Sequence, residues 1–530
     1  MMNTAQWIDE GRAVIGIEFG STRIKAILID ADLKPAASGS YDWENRLENG
    51  VWTYHMQDVI DGLQGAYASL KKDALEKYGV IIRKAACIGI SGMMHGYLPF
   101  DKDGKQLAEF RTWRNTMTAE AAEKLTGLFG FNIPQRWSIA HLYQAMLNNE
   151  AHVKDIAHIN TLAGHVHELL TGKRVLGIGE ASGVFPIDSA AYDYDAGMKA
   201  KFDALVEEAG YAWNADAVLP EVLAAGDDAG SLTADGAKLI DPDGDLMSGI
   251  PFCPPEGDAG TGMAATDSIS AETGNVSAGT SIFSMVVLDK PLKKVHPEID
   301  MVTTPVGKPV AMVHCNNCTS DINAYVGLLQ GFAAAAGKPV TAGEVYTALF
   351  TEALKGETDC GGVINYNYFS GEPVLNVPDG RPMLVRLPDS ELSFANFARS
   401  LVFGSVVTLS LGMKILTEDE KVPIRTLYGH GGLFKTGTSG QKLLSAALNA
   451  PVCVMETAGE GGPWGMALLA AYRAYAKKGQ TLDDYLNTTA FAAAPSTSCT
   501  PDEKDVEGFE SYAKRFTQGL DAQKAAAAIT

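Results

Sequence analysis

The hydrophobic positions of this chain fall into short apolar runs separated by longer stretches with helical spacing. Residues 13–30, AVIGIEFGSTRIKAILID, consist of two apolar runs around a small polar segment, Gly20-Ser21-Thr22. They predict two β-strands joined by a tight turn. Apolar residues recur at helical spacing between 59 and 70, and a further buried strand is predicted at 86–91, ACIGIS. Strands and helices that alternate in this way indicate an α/β fold.

The C-terminal half repeats this alternation around two glycine-rich turns. A predicted strand ends in Gly431-Gly432, and Thr438 with Gln441 forms a capping-box pattern before a helix. The next predicted strand, at 452–455, leads to Gly461-Gly462 and an alanine-rich helix. The glycines of both turns have no side chains and therefore leave room for a flat purine. We expect nucleotide binding at both turns.

The composition is that of a large, acidic globular protein. A chain of 530 residues suggests two or more domains, and 43 basic against 64 acidic side chains give a net charge of −21. This charge argues against nucleic acid or an anionic membrane as the main partner. The first residues lack a signal-peptide pattern, and we expect no apolar run of membrane-spanning length. Seven scattered cysteines fit reduced thiols, so we expect a cytoplasmic protein.

A central segment, residues 253–288, holds the strongest candidate for catalysis. Asp258 stands among glycine, alanine and threonine, and such small neighbours leave its carboxylate open to a ligand. Further along, Gly279 and Thr280 precede an apolar run, where glycine with adjacent hydroxyls can present backbone N–H groups to a phosphate. The alternative interpretation is structural, with Asp258 capping a helix and Gly279 in an ordinary hairpin turn.

Polar residues near the ends of predicted strands suggest the rest of a binding site. Met94 and His95 lie between glycines directly after the strand at 86–91. Trp113 and Arg114 add an indole for stacking and a polar group suited to sugar hydroxyls. These side chains are candidates for substrate binding. For His95 the alternative is a histidine that is hydrogen-bonded inside the core.

Two charged residues flank the first predicted turn. Glu18 lies two residues before Gly20, and Lys25 lies on the second strand. A glycine–hydroxyl turn with a carboxylate just upstream suits a metal-bound phosphate. The alternative is a plain β-hairpin with charged strand ends.

At this point the segments resemble a known family, the FGGY carbohydrate kinases, which include xylulokinase, ribulokinase, glycerol kinase and gluconate kinase. IGIEFGSTRIKAILID is similar to the first phosphate motif of that family, and SAGTS is similar to the second. GISGMMHG resembles the sugar-binding turn of xylulokinases, and EGDAGTGMAA resembles the segment with the catalytic aspartate, here Asp258. YGHGG and the loop 459–465 resemble the adenosine-binding region. The resemblance spans about residues 13 to 475, in the family's order.

The resemblance implies an α/β fold of two actin/hexokinase-like (ribonuclease H-like) domains with a ligand cleft between them. We expect a sugar-binding N-terminal domain at residues 1–265 and an ATP-binding C-terminal domain at residues 266–530. The implied cofactors are ATP and Mg²⁺, and the implied partner is a small-molecule sugar, with no nucleic acid or membrane. Whether the protein forms a homodimer is left open.

The same resemblance implies roles for single residues. Asp258 would accept a proton from a sugar hydroxyl that attacks the γ-phosphate of ATP, and with Glu18 it would contact Mg²⁺. The sugar-binding residues would be Met94, His95, Trp113, Arg114 and Asp258. The nucleotide-binding residues would be Gly20, Ser21, Thr22, Lys25, Gly279, Thr280, Gly431, Gly432, Gly461 and Gly462.

The expected function is ATP-dependent phosphorylation of a ketopentose such as xylulose or ribulose. One alternative is a kinase for another polyol, a deoxy-ketose or an aldonate. A second alternative is a non-catalytic sugar-binding regulator of the same fold. Glu18 motivates the regulator, because the family usually carries the shorter aspartate at this position. The presence of Asp258 and of both phosphate turns opposes it.

Overall fold

The computed structural model describes residues 2–459, 461–492 and 494–529. The chain forms two compact units: the first contains residues 1–269, 301–310 and 460–493, and the second contains residues 270–300, 311–459 and 494–530. The first passage between the units, after residue 269, lies close to the predicted boundary at 265/266. The chain returns to the first unit twice, at residues 301–310 and 460–493. The predicted division into 1–265 and 266–530 does not include these two segments.

A five-stranded sheet forms the centre of the first unit. Its middle strand, Val14–Phe19, is antiparallel to Arg23–Ile29 and parallel to Cys87–Gly92. The outer strands are Pro35–Asp42, antiparallel to Arg23–Ile29, and Glu256–Gly257, parallel to Cys87–Gly92. The β-branched and aliphatic residues of the middle strand are almost fully buried. The hairpin predicted at 13–30 and the strand predicted at 86–91 are therefore confirmed.

The second unit repeats this arrangement. The sheet centred on this unit contains, in spatial order, Asp300–Thr303, Pro309–Cys315, Ile282–Val287, Thr273–Ala278, Thr426–Gly431, Val452–Met455 and Ser496–Cys499. The central strand Thr273–Ala278 is antiparallel to its hairpin partner and parallel to Thr426–Gly431, which is parallel to Val452–Met455. Both units thus have a hairpin followed by two parallel strands in the same order. This duplication is the predicted two-domain actin/hexokinase-like pattern.

The first unit contains many helices, of which Met56–Tyr78 and Gly461–Tyr475 pack against the central sheet. The helices are Thr4–Asp9, Met56–Tyr78, Ala119–Phe129, Ser138–Leu147, Leu162–Thr171, Ile178–Ala181, Ala196–Glu208, Ala215–Val218, Ala234–Ile240, Asp258–Ala265, Gly461–Tyr475 and Leu482–Thr488. Short strands lie at Arg46–Glu48, Val51–Thr53, Leu98–Phe100, His158–Asn160, Val175–Gly177, Ile187–Asp188, Asp193–Tyr194 and Glu221–Leu223.

The helix Gly461–Tyr475 is central to the first unit although it comes late in the chain. A side chain at Gly16 would meet the backbone of Pro463, and one at Gly465 would meet the carbonyl oxygen of Thr261. Glycine therefore lets this helix approach both the middle strand and the helix Asp258–Ala265. The first turn of this helix lies beside Glu18.

The second unit has fewer and longer helices. They are Ser320–Ala335, Ala342–Ala353, Phe394–Lys414, Ser439–Leu448, Glu503–Gln518 and Leu520–Ala526, and Val363–Tyr366 forms a separate two-stranded sheet with Met383–Arg386. The predicted capping box is wrong, because the Thr438 side chain makes no cap hydrogen bond. Gln441 instead donates to the carbonyl oxygens of Val452 and Thr497 at 2.7 Å each, which fixes its helix to the sheet.

One segment of the second unit meets the length and hydropathy of a membrane span. Phe394–Asp419 has a mean hydropathy of 1.6, so the expectation of no such run is wrong by length and composition. However, 78% of its most apolar window is buried inside the protein. We therefore assign it as a core helix.

Candidate active site

Two aromatic side chains hold the turn at Gly20, Ser21 and Thr22. The indole N–H of Trp43 donates to the Gly20 carbonyl oxygen, and the Tyr54 hydroxyl donates to that of Ser21, both at 2.7 Å. The Trp43 amide donates to the Thr22 carbonyl oxygen at 3.2 Å. Among the described residues, none accepts from the amides of Ser21 and Thr22. These two N–H groups are therefore candidate donors to a ligand, as a phosphate site requires.

Glu18 lies beside this turn, opposite Lys25 in the hairpin register. A side chain at Gly462 would collide with the Glu18 carboxylate, so this carboxylate borders the first turn of the helix Gly461–Tyr475. Burial raises the pKa of Glu18 to about 7, the charge of Lys25 opposes the rise, and the charge of Asp258 adds to it. Asp258 is thus close enough to affect the ionisation of Glu18.

Asp258 is the first residue of the helix Asp258–Ala265, and Gly257 occupies the N-cap position. The alternative that Asp258 caps this helix is therefore wrong. Its Oδ1 accepts a hydrogen bond from the Met94 amide at 3.2 Å, and its side chain stays accessible to solvent. Partial desolvation raises the pKa of Asp258, whereas backbone donors and the charge of Arg136 lower it. The carboxylate is held in place and open on one side, which is the geometry of a base.

Met94 and His95 lie next to Asp258, but both are buried. His95 has a backbone φ of +69°. Its Nδ1–H donates to the Gly183 carbonyl oxygen at 3.1 Å, and its Nε2 accepts from Arg136 Nε at 3.1 Å. Burial and the charge of Arg136 lower the pKa of His95 to about 3, so the ring is neutral. The described contacts occupy both nitrogens, which favours the core alternative and leaves direct sugar binding a prediction.

Arg136 is a site residue that the sequence did not single out. It is fixed by neutral His95, and its positive charge acts on Asp258. Gly183 makes this possible, because a Cβ there would lie 2.6 Å from His95 Nδ1. Only the fold brings Arg136 to Asp258, since 122 positions separate them in the printed sequence.

Trp113 and Arg114 are both exposed. The Arg114 guanidinium stacks on the Trp52 ring, with its Cζ 3.8 Å from the ring centroid, and its charge acts on Tyr54. The described contacts therefore place Arg114 beside the aromatic support of the first turn. Whether either residue contacts a sugar stays a prediction.

Two buried carboxyl groups that the sequence reading missed lie behind Asp258. Glu256 accepts from the amides of Gly179, Glu180 and Gly257 at 2.8–3.1 Å, and burial raises its pKa to about 7. Glu180 is fully buried, and burial together with the charges of Glu256 and Asp258 holds its pKa well above its usual range, although Thr161 opposes the rise. Glycine at position 257 leaves room for the Glu180 side chain, because a Cβ at this position would lie 2.5 Å from Glu180 Oε2.

The second unit contains a turn that is organised like the first. The Gly279 carbonyl oxygen accepts from the Thr319 amide at 3.1 Å and from its hydroxyl at 2.7 Å. The Thr280 carbonyl oxygen accepts from the Cys318 amide at 2.9 Å. The Gly279 amide donates to the Ser281 carbonyl oxygen at 2.9 Å, which leaves the Thr280 amide as the candidate phosphate donor of this turn.

Gly431 and Gly432 adjoin this second turn. Gly431 has a φ of +103° and pairs with Ala278, and a side chain there would collide with the Ala278 carbonyl oxygen. The structure therefore brings Gly431 and Gly432 together with Gly279 and Thr280 in the second unit. Gly461 and Gly462 belong instead to the first unit, beside Glu18.

The donor set fits magnesium better than a transition metal. Among the described residues, no group of three or more histidine, cysteine, aspartate or glutamate side chains could hold a metal by itself. Mg²⁺ is usually bound by one or two carboxylates together with water and substrate phosphates. Glu18 lies on the strand that leads into the turn at Gly20, and the charge of Asp258 reaches it, so this pair of carboxylates suits this mode.

Comparison with known proteins identifies the family. Residues 13–262 match the N-terminal domain of the FGGY family of carbohydrate kinases, and residues 274–474 match its C-terminal domain. The xylulose kinase of Haemophilus influenzae is 23% identical over 520 residues, which cover 96% of this chain and 99% of that protein.

Solved structures show the same fold. The xylulose kinase of Rhodospirillum rubrum superposes with a TM-score of 0.77 at 20% identity, over 96% of this chain and 99% of that one. The gluconate kinase of Lactobacillus acidophilus also gives 0.77, at 16% identity, over 97% and 99% of the two chains. Two family domains in order over most of the chain, with the duplicated fold, show that this protein belongs to the FGGY family and is an ATP-dependent carbohydrate kinase.

Proposed function

We propose that this kinase phosphorylates a ketopentose such as xylulose or ribulose, with Asp258 as the general base. The observation that carries the proposal is the geometry of Asp258, whose carboxylate is accessible and is held by the Met94 amide at the end of a buried strand. The full-length similarity to a xylulose kinase supports a pentulose as substrate.

The proton transfer follows from this geometry. Asp258 accepts the proton of a sugar hydroxyl, whose oxygen attacks the γ-phosphate of ATP, and ADP leaves. Desolvation raises the pKa of Asp258, whereas backbone donors, the Met94 amide first among them, and then the charge of Arg136 favour its ionised form. His95 holds Arg136 in place as a neutral acceptor.

The phosphate groups are assigned to the two turns. In this proposal the amides of Ser21 and Thr22, with Lys25, and the Thr280 amide bind phosphate oxygens, because the Gly20 and Gly279 amides donate to the carbonyl oxygens of Arg23 and Ser281. The glycines at 431–432 and 461–462 bind the nucleotide. Glu18 and Asp258 would hold Mg²⁺, which supplies positive charge against the charge that develops on the transferred group. We propose a cytoplasmic location, since the chain has seven free cysteines and an acidic surface.

An aldonate is the second candidate substrate. Arg136 places a guanidinium near the base, and guanidinium groups bind carboxylates well. The gluconate kinase structure is as similar in fold as that of the xylulose kinase, so fold does not separate the two substrate classes.

An ADP-release assay tests the proposal. The substrates are D-xylulose, L-xylulose, D-ribulose, L-ribulose, glycerol and D-gluconate. The wild type and Asp258→Asn are both assayed with each of them. We expect the highest kcat/KM with a pentulose and a loss of roughly 10²–10⁴ in kcat in the variant, since the base is removed at constant shape.

Each other outcome replaces part of the proposal. A higher kcat/KM with gluconate or glycerol than with any pentulose would show that the proposed substrate class is wrong. Near-normal turnover by Asp258→Asn would show that Asp258 is not the general base. Sugar binding without turnover on any substrate would favour the regulator.

A further inference from the structure

The second turn is supported by a short segment at residues 316–319, which belongs to no helix or strand and which we call the support segment. The Cys318 amide donates to the Thr280 carbonyl oxygen. The amide and the hydroxyl of Thr319 donate to the Gly279 carbonyl oxygen. Because the support segment is irregular, its position depends on contacts with side chains.

One buried carboxylate, that of Glu372, anchors the support segment. Its Oε2 accepts from the amides of Asn316 and Asn317, at 3.0 and 3.4 Å, and from Asn317 Nδ2 at 3.2 Å. Its Oε1 accepts from the Asn316 amide at 3.3 Å. The side chain is fully buried. Hydrogen bonds to an ionised acceptor are about twice as strong as those between neutral groups, so the charge of Glu372 strengthens this anchor.

The support segment in turn binds the loop around this carboxylate. Asn317 Oδ1 accepts from the amides of Phe369 and Ser370 at 2.9 and 3.2 Å. Asn367 Nδ2 donates to the Cys318 carbonyl oxygen at 3.0 Å. Hydrogen bonds therefore join the loop and the support segment in both directions, and a shift of one moves the other.

Buried tyrosines fix that loop to the core of the second unit. The Tyr366 hydroxyl donates to the Phe516 carbonyl oxygen at 2.8 Å. The Tyr368 hydroxyl forms a hydrogen bond with that of Thr408 at 2.6 Å. Both tyrosines are buried, and Thr408 and Phe516 lie on two long helices of this unit. A continuous series of contacts thus leads from the helical core to the second turn.

No cation compensates the charge of Glu372. Among the described residues it forms no ion pair, and the titratable groups that its charge reaches are Cys315 and Tyr368. Burial raises the pKa of that thiol and of that hydroxyl well above their usual values, so both stay neutral. Burial also raises the pKa of Glu372 to about 7, although its amide donors oppose the rise. Protonation near neutral pH therefore weakens the anchor.

We propose that Glu372 is a positioning residue of the second turn. Through the support segment it keeps the Gly279 and Thr280 carbonyl oxygens in place, so that the Thr280 amide is set to donate to a phosphate of the nucleotide. This role rests on the proposed assignment of that turn to phosphate. It adds that the affinity for ATP depends on the ionisation of a buried carboxylate that does not touch the nucleotide.

Steady-state kinetics of Glu372→Gln test the proposal. The substitution keeps the size of the side chain but removes its charge and places an NH₂ group against the amides of Asn316 and Asn317. We expect the KM for ATP to rise about tenfold at a mildly alkaline pH, as for the loss of a hydrogen bond to a charged group. The KM for the sugar should stay constant, because the proposed sugar site lies in the first unit.

The matched control is Glu420→Gln in the same unit. Glu420 is also buried and accepts from the amides of Lys293 and Lys294 at 2.8 and 3.3 Å. Those residues follow the strand Ile282–Val287 at its end away from the second turn. The control should therefore leave the KM for ATP near the wild-type value, and an equal rise in both variants would overturn the positioning role.

A pH profile separates positioning from a general loss of stability. The wild-type KM for ATP should rise as the pH falls through about 7, because protonated Glu372 loses an acceptor, and Glu372→Gln should lack this component. Glu18 has a pKa in the same range and titrates in both proteins, so the difference between the two profiles is the readout. Parallel profiles, or an unchanged KM in Glu372→Gln, would overturn the proposal. Circular dichroism and the unfolding temperature show that each variant is folded.

Thr280→Pro distinguishes a failure of this role from a failure of the phosphate assignment. The substitution removes the N–H group itself. A raised KM for ATP in Thr280→Pro with a normal one in Glu372→Gln would retain the phosphate site and reject the role of Glu372. Normal values in both variants would reject the phosphate site as well.

Discussion

At the scale of single residues, Tyr54 connects two parts of the candidate site. Its hydroxyl donates to the Ser21 carbonyl oxygen at 2.7 Å, and its oxygen lies 3.6 Å from the Met93 sulfur. The next residue, Met94, donates its amide to Asp258. Burial raises the pKa of Tyr54 to about 12, so it remains a donor at neutral pH. One hydroxyl therefore lies between the first turn and the segment that holds the base.

Tyr54→Phe removes this donor and leaves the stacked ring in place. We expect kcat to fall about tenfold, as for the loss of one buried hydrogen bond, and the sugar KM to stay nearly constant. The matched control is Tyr78→Phe, which removes a hydroxyl that donates to Ala36 at 3.2 Å on the outer strand of the same sheet. Steady-state kinetics of both variants give the comparison. An equal fall in both would mean that the Tyr54 effect is one of general stability.

Glu18→Gln tests the magnesium assignment. The substitution keeps the length of the side chain and removes its charge beside Gly462. We expect the Mg²⁺ concentration for half-maximal rate to rise several-fold and kcat to fall, since one of the two proposed carboxylate ligands would be lost. Glu18→Asp keeps the charge but shortens the arm, and should retain partial activity. Initial rates against Mg²⁺ decide the matter, and an unchanged curve for Glu18→Gln would show that the metal is held without this carboxylate.

At the scale of elements, the sequence predicted what local patterns determine. The strands of the first hairpin and the strand at 86–91 were found because apolar runs bounded by glycine have few other interpretations. Arg136, Glu180 and Glu256 were missed, because their relation to Asp258 depends on tertiary packing. The capping box failed because Gln441 donates to the sheet, which the local pattern does not show.

One ion cluster joins the helix Met56–Tyr78 to the loop at 241–245. Lys71 Nζ lies 2.7, 2.8 and 3.1 Å from carboxylate oxygens of Asp241, Asp243 and Asp245. Asp241 is only 2% exposed. Burial lowers the pKa of Lys71, but the three aspartates raise it to a net value above the usual 10.5. The stabilisation is therefore complete below that usual value and is lost only as the pH rises through the folded-state pKa.

Lys71→Met leaves a buried carboxylate without its cation. We expect a loss of about 3 kcal/mol in the free energy of unfolding at neutral pH, measured by urea denaturation. The matched control is Lys72→Met on the same helix, where an exposed pair with Glu76 at 3.7 Å is worth less than about 1 kcal/mol. Similar small losses in the two variants would show that the three aspartates are solvated without Lys71.

At the scale of the whole molecule, the two units share a sheet plan but differ in how the chain builds them. The hairpin with two parallel strands recurs, and each hairpin turn has its carbonyl oxygens bound by a neighbouring segment of its own unit. A turn of the same construction, which we propose to bind phosphate, thus occurs twice in one chain. The first unit, however, draws on residues 301–310 and 460–493 as well as on the N-terminal half.

The late position of the helix Gly461–Tyr475 has a consequence for synthesis on the ribosome. This helix packs against Gly16 and borders Glu18, so the N-terminal sheet lacks part of its apolar cover until residue 475 has been made. At 5–20 residues per second, the 475 − 269 = 206 residues that follow Ile269 take roughly 10–40 s to translate. During that interval the nascent first unit exposes the groove that the helix later fills, which is the kind of surface that chaperones bind.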